Sequence, residues 1–428
     1  MGNKHRLTAG QELRVEVDPE TPVSIKLTNG IAEVFGTEMA LGETMNITGQ
    51  KLAVYTWKGC ELDVMGEPQC IYESSETPMV VYHNTHLVLN QQRSEAKAAG
   101  GQGPRAIVVG PTDAGKSTLS RILINYAVRS GWEPTFVDLD IGQGELVPPG
   151  NIAACPIHVP IDVQEGYLAE TPLAYYYGHV SPSHNSEHYR CIVECLADTL
   201  DKRAERDPQA AASGLIINTM GWIDGLGYDL LLHSIKALKA DTVLVVGNEK
   251  LYSQLSRHFE GSKRSGDAAA AVAVVKVKQS GGTVTRPPAA RQAARIQRVR
   301  EYFYGFAHEL APHSQTIPLE DLAGRIYRVG GGPKAPSSAL PIGQTSVADP
   351  LRVVLLAPNK GIDNSLLHCL LAVSRADKPE TLLSSNVAGY VYISDVDLIA
   401  KKLTYLAPCP GSLPGKYLLA GSFKCYFE

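Results

Sequence analysis

Gly110-Pro-Thr-Asp-Ala-Gly-Lys-Ser117 has the spacing G-x-x-x-x-G-K-S/T, and each fixed position has a task at a nucleoside triphosphate. Glycines let the backbone close round phosphate oxygens, while N–H groups of the loop and of the following helix N-terminus point at the β-phosphate. Lys116 reaches the β- and γ-phosphates and the Ser117 hydroxyl ligates Mg²⁺, with Gly110, Asp113, Ala114, Gly115 and Thr118 completing the cradle. ATP and Mg²⁺ are the expected cofactors.

Asp138-Leu-Asp-Ile-Gly-Gln143 ends the next apolar run and puts Asp138 and Asp140 on one side of a strand whose C-terminal end faces the same crevice. One carboxylate can orient the Mg²⁺ shell while the other accepts the proton of an attacking hydroxyl, and spacing alone does not say which does which. Asn218-Thr-Met-Gly-Trp222 follows a third apolar run, with Asn218 where many P-loop proteins carry an acid and Trp222 at the rim. An indole face there can stack a nucleobase for about 1–3 kcal/mol. Arg291 and Arg295 lie four apart, on one helix face, and can close over transferring phosphates as a clamp. A guanine-specifying N-K-x-D is not matched by Asn359-Lys-Gly-Ile-Asp363, which has one residue too many. The spacing of His158, His179, His184 and His188 gives no helical metal pair except His184 with His188, which reads as a polar loop.

These residues need an α/β frame. Ala106–Val109, Thr135–Asp138, Gly214–Asn218 and Thr242–Val246 are fully apolar or nearly so and alternate with helical patterns, the mark of a parallel sheet covered on both faces. Before them, Leu13–Val17, Val23–Leu27, Ile31–Phe35 and Leu52–Trp57 read as short strands, with Asn29-Gly30 as a hairpin turn. Leu87 to Gly103 suits a short helix and a linker, Gly261 to Arg291 a mobile connection with a Val-rich run at Val272–Val277, and strand patterns return from Ile317. The expected fold is a central P-loop NTPase domain with a parallel sheet (105–310), an N-terminal all-β domain (1–90), a linker (91–104) and a mostly β C-terminal domain (311–428).

Composition narrows the partners. With 40 Lys and Arg against 44 Asp and Glu, the formal charge of -4 offers no global basic field, so any nucleic-acid site is local. Eight scattered cysteines without a C-x-x-C pair read as reduced thiols, and no apolar run approaches a membrane span. The first residues lack a signal-peptide core, and Arg6 stands where a myristoylation pattern needs Ser or Thr, so a cytosolic or nuclear protein is expected.

Taken together, Ala32-Glu-Val-Phe-Gly-Thr-Glu38, the P-loop, Asp138-Leu-Asp-Ile-Gly-Gln143, Asn218-Thr-Met-Gly-Trp222 and Arg300-Glu-Tyr-Phe-Tyr-Gly305 resemble the Clp-one polynucleotide 5′-hydroxyl kinases over nearly the whole chain. The resemblance implies transfer of the ATP γ-phosphate to the 5′-hydroxyl of RNA, with Asp140 as base, Ser117 and Asp138 at the metal, and Arg291 and Arg295 as the lid. It further implies Trp222 and Gln143 on the RNA, and Glu12 and Lys51 of the N-terminal domain near the adenine. A nuclear location follows from the same likeness, with mRNA cleavage factor and tRNA-splicing endonuclease subunits as partners. A scaffold that keeps ATP bound without turnover is the competing expectation; retention of Lys116, Ser117, Asp138, Asp140 and Trp222 together is what in-line transfer needs.

Overall fold

The computed structural model describes residues 3–167, 171–264, 272–330, 349–357 and 362–426. Residues 265–271 of the connection expected after Gly261, and Asn359, Lys360 and Gly361, lie outside them.

Val23, Ile25 and Leu27 are buried while Ser24 and Lys26 are partly exposed, the period-two pattern of a strand with one face on a core. That strand, Val23–Gly30, lies in a four-stranded sheet with Asn3–Leu7, Thr44–Ile47 and Cys60–Met65. A five-stranded sheet formed by Glu12–Glu16, Glu33–Val34, Thr37–Glu38, Lys51–Tyr55 and Cys70–Ser74 packs against it. Asn29-Gly30 is not a hairpin turn. Gly30 pairs with Cys60, and the chain then crosses to the other sheet. Gly30 has φ 84°, and a Cβ there would lie 2.2 Å from the Gly59 carbonyl oxygen, so glycine serves a close backbone approach.

A helix over Met79–Ala99 leads out of this domain, starting before the expected Leu87 and running through most of the expected linker. Tyr82, His86, Leu89, Arg93 and Ala96 form its buried stripe at spacings of three and four. Two polar members of that stripe hide the pattern in the sequence.

The central sheet runs Leu173–Tyr176, Asn151–Pro156, Thr135–Asp138, Leu215–Asn218, Arg105–Val109, Thr242–Val246, Ala273–Val277. The last five are parallel, while Asn151–Pro156 and Leu173–Tyr176 extend the sheet antiparallel. This mixed edge has a packing reason. Tyr175 enters the core under the helices, whereas Ala153, Ala174 and Tyr176 join the core of the C-terminal domain. In register, Asp138 and Val108 both sit opposite Asn218, so the carboxyl ends of three strands converge on the P-loop.

The C-terminal sheet has seven strands: His313–Pro318, Lys402–Ala407, Val387–Asp397, Leu370–Ser374, Tyr417–Ala420, Ile326–Val329 and Val353–Leu355. The helix Pro288–Tyr304, with proline at its first turn, buries Val299 and Phe303 in the core shared with that sheet. Among the described residues no helix is long and apolar enough to cross a membrane.

Candidate active site

The P-loop joins the buried strand Arg105–Val109 to the helix Lys116–Arg129. Gly110 has φ 157°, and a Cβ there would come within 2.6 Å of the Val246 carbonyl oxygen on the neighbouring strand. Asp113 (φ 59°) and Gly115 (φ 89°) turn the loop back so that the helix begins at Lys116. Ala114 is buried, Ser117 half-buried, and Thr118 exposed on the first turn. The Lys116 ammonium donates to the Pro111 carbonyl at 2.8 Å. Burial lowers its pKa to about 8, against the opposing pull of Asp140 and Asp113.

Asp138 and Asp140 fall into different surroundings. Asp138 is buried and accepts from the Asp140 N–H (3.1 Å), the Glu145 N–H (2.7 Å) and the Asn218 amide (3.2 Å). Burial, then the charges of Asp140 and Glu145, push its pKa up to about 7. The Asn218 amide also reaches the Ser117 hydroxyl at 3.4 Å, so Asn218 bridges Ser117 and Asp138. Asp140 accepts from the Gly142 and Gln143 N–H groups at 2.9 and 3.0 Å. Burial raises its carboxyl, and the charges of Lys116 and Arg286 pull against that rise.

Glu145 escapes notice in the sequence. Its carboxylate pairs with Arg121 at 3.1 Å and also meets Ser117. Burial would raise its pKa, but Arg121 overrides that and holds it low. Arg121 in turn lies over the Phe35 ring at 5.1 Å and the Tyr167 ring at 5.6 Å. The only sequence signal was an acid shortly after the Gly142-Gln-Gly144 turn.

Of the two arginines expected to form a lid, Arg291 is bonded to the loop. Arg291 donates to Asp113 (3.2 Å) and to the Arg286 carbonyl (2.7 Å). Arg295 is half-buried one turn later, its pKa lowered first by burial and then by Arg291, with Asp140 pulling the other way. Gln143 donates to the Arg291 carbonyl at 3.2 Å, so it touches the lid backbone. Arg286, not singled out from the sequence, contacts Asp113 through both its backbone N–H and its guanidinium.

Trp222 is 38% exposed at the rim. A Cβ at Gly221 would lie 2.5 Å from the Thr112 backbone, and one at Gly227 would lie 2.6 Å from the Trp222 ring, so this turn rests directly on the P-loop. In the N-terminal domain, Glu12 and Lys51 share one face of the paired strands Glu12–Glu16 and Lys51–Tyr55, but at opposite ends. Four residues separate Glu12 from Glu16, the partner of Lys51, a distance of about 13 Å. Glu12 is buried against the Arg14 guanidinium, whereas Lys51 is exposed on Glu16. Arg14 itself packs on the segment leading to the lid, since a Cβ at Gly282 would approach its Nε to 2.8 Å.

A glycine-turned loop with a buried lysine, two carboxylates at and just beyond the end of one strand, and arginines bonded to the loop define a P-loop nucleotide-binding protein of the phosphoryl-transfer type. The chain matches three family models: the N-terminal beta-sandwich domain of polyadenylation factor (6–96), the mRNA cleavage and polyadenylation factor CLP1 P-loop (110–305), and the pre-mRNA cleavage complex II protein Clp1 (310–427). It is 46% identical to a protein CLP1 homolog of Arabidopsis thaliana over 97% of this chain and 93% of that one. It is 40% identical to a Homo sapiens polyribonucleotide 5′-hydroxyl-kinase Clp1 over 97% of this chain and 95% of that one. It therefore belongs to the Clp1 family. A solved complex of wild-type Clp1p with Pcf11p shares the fold at 23% identity, covering 100% of this chain and 99% of that one with a TM-score of 0.80.

Proposed function

We propose that this chain is an ATP-dependent kinase that phosphorylates the 5′-hydroxyl end of RNA. One observation carries the reading: the two carboxylates are sorted, Asp138 joined through Asn218 to Ser117 and bonded to the Glu145 N–H, and Asp140 facing Lys116, Arg286 and Arg295. In that arrangement the RNA hydroxyl oxygen attacks the γ-phosphorus in line, its proton passes to Asp140, and the bond to the β–γ bridging oxygen breaks to release ADP. Lys116, Arg291 and Arg295 balance the charge that builds on the transferring group. Burial raises both carboxyls, so what assigns the proton to Asp140 is its place beside Lys116 and Arg295, apart from the Ser117–Asn218 group that holds Asp138. Trp222 stacks the terminal base at the rim, and Gln143 positions the strand against the lid. Glu12 and Lys51 are assigned to the adenine side, Glu12 through Arg14, which packs on the segment before the Pro288–Tyr304 helix, and Lys51 from the far end of the same strand face. Relatives that are 40–41% identical carry the name polyribonucleotide 5′-hydroxyl-kinase, which supports the same activity.

Mg²⁺ fits the residues present. Ser117 Oγ and the Asp138 carboxylate, brought together by the one Asn218 amide that donates to both, are hard oxygen donors. Among the described residues no three His, Cys, Asp or Glu side chains form a cage, in keeping with an ion that takes the rest of its shell from phosphates and water. Bound there, it supplies charge neutralisation at the β- and γ-phosphates.

By the same reading the protein works in the nucleus, in mRNA 3′-end processing beside a Pcf11-like cleavage factor and in tRNA splicing beside the endonuclease. The Pcf11p complex of the structural neighbour supports the first partner. The test is transfer of labelled γ-phosphate from ATP to a short 5′-hydroxyl RNA by the natural chain, Lys116→Ala and Asp140→Asn. Transfer by the natural chain alone is expected. ATP binding without transfer would instead favour a scaffold, a reading that gains weight from the ties between the N-terminal domain and the segment above the nucleotide.

A further inference from the structure

Asp113 contributes its backbone to the P-loop, but its carboxylate points elsewhere. The side chain is 4% exposed and takes three donors: the Arg286 N–H at 2.9 Å, Arg286 Nε at 2.9 Å and Arg291 Nη1 at 3.2 Å. Burial alone would raise this carboxyl; the hydrogen bonds and charge of Arg286, with Arg291, hold it below its ordinary value.

Residues 278–287 form a strap from the strand Ala273–Val277 to the lid helix. At its start Lys278 pairs with Glu76 at 2.8 Å, and its carbonyl accepts from the Tyr82 hydroxyl at 3.0 Å. In the middle Gly282 lies on Arg14, and the Thr283 methyl would lie 3.3 Å from a Cβ at Gly115. At its end Arg286 is fixed at two points on Asp113, and Pro287-Pro288 follow immediately. Proline restricts its own φ and the conformation of the residue before it, so Arg286 and the start of the lid helix move as one piece. Arg295 sits one turn, about 6 Å, beyond Arg291 on that helix.

We propose that Asp113 is a positioning residue for the transfer reaction: its carboxylate latches the strap through Arg286 and so sets Arg291 and Arg295 over the phosphate being transferred. Arg286 is the strap's anchor. Asp113 acts through these arginines, while the loop N–H groups and Lys116 hold the nucleotide. The effect on turnover rests on the kinase reading given above; the latch itself does not.

The test uses the full chain with Asp113→Asn, Arg286→Gln and the double variant. Asparagine tolerates the positive φ at position 113, so the loop keeps its shape. Asp113→Asn should lower kcat for RNA phosphorylation by roughly 10- to 100-fold, the scale of lost charge-assisted hydrogen bonds, while the ATP dissociation constant changes less than about threefold. In the Arg286→Gln background the same change should cost clearly less in kcat, because the two residues act through one contact. Hydrogen exchange at the Arg286 amide should quicken in Asp113→Asn while amides of the central strands stay protected. A loss of ATP affinity that accounts for the whole effect, an undiminished effect in the Arg286→Gln background, or unchanged exchange at Arg286 would each overturn the latch. Should the natural chain transfer no phosphate, the kinase reading fails, and exchange at the Arg286 amide decides the latch by itself.

Discussion

On the proposed reading, Trp222→Ala should separate RNA binding from nucleotide binding. The indole is 38% exposed, with one side on the Gly227 turn, so its open side is available to a base and its truncation removes little core packing. Stacking of a base on an aromatic ring is worth about 1–3 kcal/mol, which corresponds to roughly a 5- to 150-fold rise in KM for RNA. The turn meets the P-loop at Thr112 through Gly221, a contact that does not depend on the indole. The ATP dissociation constant should therefore hold within about twofold, within the scatter expected of a surface change. Steady-state phosphorylation of a 5′-hydroxyl oligoribonucleotide gives the first quantity, and nucleotide titration of the same preparation gives the second. Trp222→Phe, which keeps a π-face, should recover most of the loss. An unchanged KM for RNA, or a parallel fall in ATP affinity, would refute the stacking role.

Lys116 loses its proton above about pH 8 and Asp138 gains one below about pH 7, so binding of Mg²⁺ and ATP to the free protein should peak between these values. Calorimetric titration from pH 6 to 9 checks this, and affinity flat across that range would contradict it. Asp140→Asn should abolish transfer while retaining ATP, and it should move the alkaline limb to lower pH, because the Asp140 charge is what supports the Lys116 ammonium. Arg121→Leu removes the nearest counter-charge of Glu145 and leaves it only Arg298; the paired side chains are 19% and 17% exposed, and chemical denaturation should register a loss of about 3 kcal/mol.

The catalytic loop and the parallel strands were legible because fully apolar runs and a glycine motif are local signals. What the sequence hid was relational. Glu145 and Arg121 are 24 residues apart and meet only once the helix Lys116–Arg129 folds back over the strand Thr135–Asp138. Arg286 looked like one more basic residue before a proline pair, and its partner Asp113 lies 173 residues earlier. The helix Met79–Ala99 was read too short because His86 and Arg93 occupy core positions of its stripe. Arg93 remains buried by donating to the Ser213 carbonyl at 2.9 Å, a contact that no helical period announces. The antiparallel strand Leu173–Tyr176 is only four residues long, too short for a period to stand out, and its two faces enter two different cores.

Charge explains why these separate pieces form one site. Lys116, Arg286, Arg291 and Arg295 crowd the space above the loop, and in the structure they are shared between two acids, Asp113 with Arg286 and Arg291, and Asp140 with Lys116 and Arg295. Cations so placed repel one another, as the lowering of Arg295 by Arg291 and of Lys116 by Arg286 records. A polyphosphate relieves that repulsion more fully than two carboxylates can, and it does so without disturbing the strap, which keeps its own anchor on Asp113. The N-terminal domain enters through Arg14 and Glu76 on the same strap, so that domain, the strap and the P-loop share a continuous set of contacts. On the proposed reading, retention of ATP and placement of Arg291 and Arg295 are thus two consequences of one charge arrangement, and phosphate transfer is the outcome that uses both.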